Sequence, residues 1–459
     1  MALIKSISGI RGTIGGLPGQ NLTPQDIVEC TAAFGTWLLQ KGNPPKVVLG
    51  RDARISGAMV KDLVVSTLLA LGIDVLDLGL STTPTVEMAV TFEKAGAGII
   101  ITASHNPKEW NALKFLNEKG EFISAADGEA VLKLIADGGI SYAPVDALGK
   151  VHERTDFLPK HLQSIIDLPE VEVDLVRARG FKVVLDPVNS SGALAVPPLL
   201  EYLGCKVIVI NAEPNGQFAH NPEPLPEHLI ELSKAIVEHQ ADLGIAVDPD
   251  VDRLALVCEN GEAFGEEYTL VAVADYLLQQ TPGNSVSNLS SSRALKDVTL
   301  KHGGQYFAAA VGEVNVVEKM KAVNAVIGGE GNGGIIVPQL HYGRDALVGI
   351  ALFLSWLAKS EGTASALRAT YPDYQMVKDK IALPAGLDLE GILQKLEQKY
   401  QHEEHSTIDG LKIDFPNSWL HLRKSNTEPI IRIYSEAPTL TEAKALVEQI
   451  KAEVLELIA

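Results

Sequence analysis

One arrangement recurs along this chain and limits what it can become. A short run of Val, Ile and Leu ends in a loop rich in Gly, Asp, Ser or Asn, and an amphipathic stretch follows. Lys46-Val47-Val48-Leu49 enters Gly50-Arg51-Asp52-Ala53-Arg54-Ile55-Ser56-Gly57. Ala97-Gly98-Ile99-Ile100-Ile101 enters Thr102-Ala103-Ser104-His105-Asn106-Pro107. Lys182-Val183-Val184-Leu185 leads into Asp186-Pro187-Val188-Asn189-Ser190-Ser191-Gly192, and Leu243-Gly244-Ile245-Ala246-Val247 into Asp248-Pro249-Asp250-Val251-Asp252-Arg253. Ala325-Val326-Ile327 leads into Gly328-Gly329-Glu330-Gly331-Asn332-Gly333-Gly334. Unbroken apolar strands alternating with helical segments read as parallel sheets covered on both faces, an α/β design. Such sheets carry their chemistry on the loops at strand carboxyl ends.

A chain of 459 residues is too long for one core, so about three or four domains are expected. Thr23-Pro24 opens a helix with a cap and a first-turn proline, and residues 27–39 supply its apolar face. Residues 346–357 are apolar nearly all round, which predicts a buried helix. From about Tyr371 the pattern changes. A strand over 371–381, a helix over 389–400, a strand–loop–strand over 419–435 and a helix over 440–457 predict a small α+β domain after three α/β units. The divisions are expected at roughly 1–150, 151–254, 255–368 and 369–459.

Charge narrows the partners. A net charge of −19 opposes nucleic-acid binding, but a locally basic cleft can still hold an anionic small molecule. Cys30, Cys205 and Cys258, odd in number and widely spaced, fit reduced thiols. The N-terminal Met1-Ala2-Leu3-Ile4-Lys5-Ser6 lacks a secretory pattern, and no apolar run reaches membrane length. A soluble, cytoplasmic protein with no membrane partner is expected.

Four loops can carry chemistry. Asp248, Asp250 and Asp252 alternate on a strand-end loop and can converge on one hard divalent cation, with positions left for a phosphate. A calcium EF-hand loop would need glycine where Arg253 stands, so that reading is rejected. Ser104 leaves a strand end, where serines are ordinarily caps or turn residues. It lacks a G-x-S-x-G elbow, which disfavours acyl transfer, whereas a phosphoserine beside a cation is chemically sensible. The loop around Glu330 places one carboxylate among glycines, a pattern suited to sugar hydroxyls. Arg423-Lys424-Ser425-Asn426-Thr427-Glu428-Pro429 packs donors densely enough for an anion nest.

Together these loops resemble the α-D-phosphohexomutase superfamily: Ser8-Gly9-Ile10-Arg11-Gly12, the serine loop, the aspartate loop, the glycine loop and the Arg423 loop occur in that family's order. The resemblance covers essentially the whole chain. It implies three similar α/β domains with mixed sheets and a smaller C-terminal α+β domain around a central cleft. By that resemblance Ser104 is the phosphoserine and Asp248, Asp250 and Asp252 hold Mg²⁺ with a phosphoserine oxygen. Arg11 and Arg253 lie near the transferring phosphate, and Lys114 and His105 are candidates for proton transfer. Glu330 and Asn332 read sugar hydroxyls, with Glu313 at a sugar-dependent position. Arg423, Ser425, Asn426 and Thr427 grip the phosphate that is not reacting. The implied activity interconverts hexose 6-phosphate and hexose 1-phosphate through a bisphosphosugar, in a monomer or homodimer.

Departures bear on the sugar. Asn332 stands where serine is usual, Gly334 where histidine is common, Pro249 where glycine is frequent, and Ala112 replaces a glycine. Val311-Gly312-Glu313 resembles the acidic form seen in phosphoglucosamine mutases, which favours glucosamine phosphate over a dual mannose/glucose enzyme. A non-catalytic sugar-phosphate binder would have no use for a phosphorylatable serine beside a cation site. A phosphatase would release inorganic phosphate instead of an isomeric sugar phosphate.

Overall fold

The computed structural model describes residues 3–6, 9–382, 389–424 and 430–458. Its strands form four sheets. The first runs Leu3–Ser6, Gly9–Thr13, Trp110–Leu116, Ala97–Ile101, Lys46–Arg51, Asp74–Leu80, Val151–Glu153. Its Lys46–Arg51 strand pairs in parallel with Asp74–Leu80 and Ala97–Ile101, while Trp110–Leu116 and Gly9–Thr13 add antiparallel. The second sheet has a parallel core of Lys206–Val209, Lys182–Asp186 and Leu243–Val247, closed by antiparallel Leu254–Cys258. The third repeats this plan with Tyr306–Ala309, Asn284–Asn288 and Ala325–Glu330 in parallel and Gly334–Ile336 antiparallel.

The apolar-run reading therefore describes the central strands, and the mixed sheets implied by the resemblance describe the whole. The antiparallel additions arise where a chain leaving a strand end turns straight back after its functional loop. A parallel return would need a crossover of a dozen or more residues. For that reason Leu254–Cys258 stays with the second sheet, while Val151–Glu153 returns to the first.

Helices behave as their sequences require. Pro24–Gln40 starts at the expected Thr23 cap, where the Asp26 carboxylate accepts the Thr23 amide at 3.2 Å. Ala346–Ser360 is buried along almost its full length, which explains an apolar surface without a polar face. It packs on Tyr268–Gln280 and Val173–Arg179, so one apolar cluster runs through the second and third units. The three cysteines are free and buried. Among the described residues no helix is long and apolar enough to cross a membrane.

The fourth unit is a five-stranded antiparallel sheet with its own core under the helices Leu389–Lys399 and Leu440–Ile458. It meets the third unit through polar contacts. The Arg293 amide donates to Glu436 at 3.0 Å and the Val311 amide to Asp409 at 3.0 Å. Buried His421 lies 2.9 Å from the Ser290 hydroxyl and 2.7 Å from the Asp409 carbonyl. A carbonyl only accepts, so Nε2 carries the proton and Nδ1 accepts from Ser290. Burial pushes the His421 imidazole down to about 4. The unfolded chain then binds more protons below pH ~6.5, so stability should fall as pH drops from there towards about 4. Thermal unfolding of His421→Gln should show a shallower acid limb than the parent; parallel limbs would mean the ring is not the titrating group.

Candidate active site

Ser104 sits just past the carboxyl end of Ala97–Ile101 with a left-handed backbone, φ +48. That conformation costs a non-glycine residue roughly 1–2 kcal/mol, so something must hold it. Arg54, 1% exposed, does so. Its Nη2 donates to the carbonyls of Ser104 (2.5 Å) and Asn106 (2.6 Å), and its Nη1 to those of Pro107 (2.6 Å) and Trp110 (2.9 Å). Asp52 anchors the Arg54 Nε at 3.0 Å and accepts from the Thr102 hydroxyl at 2.7 Å. The Ser104 amide donates back to Thr102 Oγ1 at 2.9 Å. Sequence reasoning missed Arg54, although its loop is one of the recurring strand-end loops.

The Ser104 hydroxyl donates to Asp248 Oδ2 at 2.6 Å, across a gap of 144 residues. Asp248, Asp250 and Asp252 are fully buried, and one carboxylate oxygen from each lies within 4.8 Å of the others. The loop achieves this convergence through Val251, a β-branched residue at φ +63, where such side chains rarely stand. Asp250 Oδ1 and Asp252 Oδ1 are buried without a hydrogen-bond partner among the described residues. Buried, unpartnered carboxylate oxygens are strongly unfavourable unless a cation satisfies them. An all-oxygen set of this kind suits a hard divalent metal, so the residues present fit one. Burial and the neighbouring Asp252 and Asp250 hold the Asp248 carboxyl well above its ordinary range.

Two further groups fix this loop. Thr83, at the start of the helix Thr83–Phe92, donates its hydroxyl to Asp250 Oδ2 at 2.7 Å and its amide to the Asp250 carbonyl at 2.9 Å. Lys114 Nζ lies 2.7 Å from Asp250 Oδ2 and 3.4 Å from Asp252 Oδ2. Burial alone would lower the Lys114 ammonium, but the two carboxylates overcome it and hold the group well above its usual value.

The least foreseen residue is Arg344. Only 8% exposed, it donates from Nη2 to Asp252 (2.7 Å), from Nη1 to Glu330 (2.9 Å) and from Nε to Glu313 (2.9 Å). One guanidinium thus joins the aspartate loop, the glycine loop and the Val311-Gly312-Glu313 segment. Gly334 makes room for it: a Cβ there would stand 2.3 Å from Arg344 Cδ. The glycine found where histidine is common therefore has a steric cause. Burial raises the Glu330 carboxyl, but Arg344 and the Asn288 amide bring it below its ordinary value. Asn332 is nearby, its Oδ1 accepting the Gly334 amide at 3.2 Å. The only sequence signal was its place beside the cap of an all-apolar helix, where an arginine, if buried, would need carboxylate partners.

The remaining basic groups lie on or beside the serine and aspartate loops. His105 Nδ1 lies 3.3 Å from Ser104 Oγ; burial, then Arg253 and Arg344, push its imidazole down to about 2. Arg253 is buried, with its amide on Asp248 Oδ1 at 3.1 Å and Nη1 3.4 Å from Glu223. Arg11 reaches Asn106 at 3.5 Å, and burial together with Arg253 draws it below its usual value. Ser104, His105, Lys114, Arg11, Arg253, the three aspartates, Glu313, Glu330 and Asn332 are thus gathered around one centre. Arg423 stays on the strand Trp419–Lys424 of the fourth unit, opposite Arg432. Ser425, Asn426 and Thr427 lie outside the described residues.

Comparisons with known proteins agree along the entire chain. The phosphoglucomutase/phosphomannomutase alpha/beta/alpha domains I, II and III match residues 3–139, 159–261 and 265–374, and the C-terminal domain of that family matches 376–453. A phosphoglucomutase/phosphomannomutase of Thermococcus kodakarensis is 35% identical over 95% of this chain and 96% of its own. A phosphoglucosamine/phosphogalactosamine mutase of Sulfurisphaera tokodaii is 31% identical, covering 98% and 99%. The crystal structure of a phosphoglucomutase/phosphomannomutase family protein from Burkholderia thailandensis superposes with a TM-score of 0.86 at 25% identity, covering 98% and 96%. Four family domains in order, with relatives matched end to end, place this chain in the phosphoglucomutase/phosphomannomutase family, a phosphohexomutase by fold and by descent.

Proposed function

We propose that the enzyme interconverts glucosamine 6-phosphate and glucosamine 1-phosphate, with Ser104 as the phosphoryl carrier. The carrier role rests on the 2.6 Å bond between the Ser104 hydroxyl and Asp248 within the aspartate cluster. Asp248, Asp250 and Asp252 would hold Mg²⁺, which neutralises phosphate charge when bound. A phosphoryl group on Ser104 passes to a sugar hydroxyl: the bond from phosphorus to Oγ breaks, a bond to the sugar oxygen forms, and the hydroxyl proton leaves to a base. His105 is uncharged in its cationic setting and can accept that proton, its basicity rising as phosphate approaches. Lys114, held as an ammonium, donates towards the leaving oxygen. Arg11 and Arg253 balance the transferring charge, and the Arg423 loop, with Ser425, Asn426 and Thr427, grips the distal phosphate.

The sugar preference rests on the acidic pair Glu313 and Glu330. They share one guanidinium with Asp252, leaving carboxylate charge at the sugar loop that a protonated 2-amino group can pair with. The name of the Sulfurisphaera tokodaii relative supports the same choice. A coupled assay of kcat/KM with glucosamine, mannose and glucose 6-phosphates tests it. Glucosamine 6-phosphate should lead by at least about tenfold, equivalent to roughly 1.4 kcal/mol of transition-state binding. A lead by mannose or glucose phosphate would assign the chain to the dual phosphomannomutase/phosphoglucomutase activity instead.

A further inference from the structure

A second cluster of potential ligands lies outside the machinery described above. His161 from the helix Phe157–Ile166 and Asp345 at the start of Ala346–Ser360 are both completely buried; His341 is partly so. His161 Nε2 is 2.9 Å and His341 Nε2 3.3 Å from the same oxygen, Asp345 Oδ2. The three ligating atoms fall within 4.8 Å of one another. Asp345 Oδ1 is turned away to cap the helix amides of Leu347 and Val348, which fixes the direction of Oδ2.

The outer nitrogens are also provided for. His161 Nδ1 meets the Thr85 hydroxyl at 3.0 Å. His341 Nδ1 stands 3.2 Å from Glu87 Oε2, off the hydrogen-bond direction. Glu87 is 1% exposed, and neither of its carboxylate oxygens has a hydrogen-bond partner among the described residues. Gly343 lets it approach, since a Cβ there would lie 1.9 Å from Glu87 Oε2. A buried carboxylate paired with the far nitrogen of an imidazole is the outer partner that a metal-bound histidine uses.

We propose that His161 Nε2, His341 Nε2 and Asp345 Oδ2 bind a divalent transition cation of the zinc class, with Thr85 and Glu87 orienting the two rings. Two imidazoles and one carboxylate suit Zn²⁺ and disfavour Mg²⁺, so the site differs in metal from the aspartate loop. The cation neutralises Asp345 and Glu87 without an added proton on either ring. The ligands and their supports come from the first three units, so the ion fastens all three together. It acts on the helix Thr83–Phe92, whose Thr83 touches Asp250. The proposal stands whether or not the glucosamine assignment holds.

Calorimetric titration of the chelator-stripped full-length protein with Zn²⁺, in excess Mg²⁺, tests the site. One equivalent should bind, Asp248→Asn should retain it, and His341→Gln should weaken it by about 100-fold or more. Co²⁺ in its place should give the visible absorption of a four-coordinate site. X-ray absorption of the zinc-loaded wild-type protein should show imidazole nitrogen, a readout that needs no variant to fold. Absence of zinc binding, an all-oxygen shell, or binding that survives His341→Gln but vanishes in Asp248→Asn would each overturn the proposal.

Discussion

Ser104→Ala should abolish mutase turnover, by about 10⁴-fold or more, while the protein remains folded. On the proposed mechanism the Ser104 oxygen is where the phosphoryl group waits between substrates, and alanine offers no atom to carry it. The structure accounts for the expected survival of the fold. The Ser104 loop is fastened by the Arg54 bonds to the carbonyls of Ser104, Asn106, Pro107 and Trp110, and these do not involve the hydroxyl. What is lost is the hydroxyl's bond to Asp248 and its 3.3 Å contact with His105 Nδ1, each worth about 1 kcal/mol. A coupled turnover assay with circular dichroism decides the matter, and turnover within tenfold of the parent would remove Ser104 from the mechanism. Mass analysis should find one phosphate per chain in the active parent and none on this peptide of the variant.

Arg344→Met should be the most damaging change at the centre that does not touch the serine. It leaves the buried carboxylates of Asp252, Glu313 and Glu330 without their shared cation. Breaking a buried ion pair costs about 3–5 kcal/mol, so a loss of that order is expected in denaturant unfolding. Because the guanidinium joins three loops, kcat/KM should also fall by about 10²-fold or more. Arg344→Lys should be intermediate, since one ammonium cannot fork towards three carboxylates. The sign of the pH dependence follows from Glu330, which Arg344 holds below its ordinary value against burial. Stability from that lowering is present above the unfolded carboxylate range and fades as pH falls through the folded value. The deficit of Arg344→Met should therefore widen as pH rises above about 4.5 and shrink below it. A variant within about 1 kcal/mol and threefold of the parent would show that the three ion pairs neither stabilise nor position the site.

Much of the layout could be read in the order of residues. The strand-to-loop runs marked the three sheets because apolar periodicity is a local property, imposed by each strand's burial between layers. The all-round apolar stretch foretold the buried helix Ala346–Ser360 in the same way. The alternate aspartates of the Asp248 loop were visible as donors because their spacing lies within one loop. Pattern alone gave parallel sheets. The antiparallel strands Leu254–Cys258 and Gly334–Ile336 depend on where a turn sends the chain, which the runs do not encode.

By itself, then, the sequence determined the layered α/β units, the loops that bear chemistry and, through resemblance, the family. Only the tertiary structure decided which charges meet. Ser104 finds Asp248 across 144 residues, Arg344 finds Asp252 across 92, and His161 finds Asp345 across 184. Local order can require that a buried charge be paired, because an unpaired one is so unfavourable, but it cannot name the partner. That choice is made when the units close on one another and exclude water from the space between them.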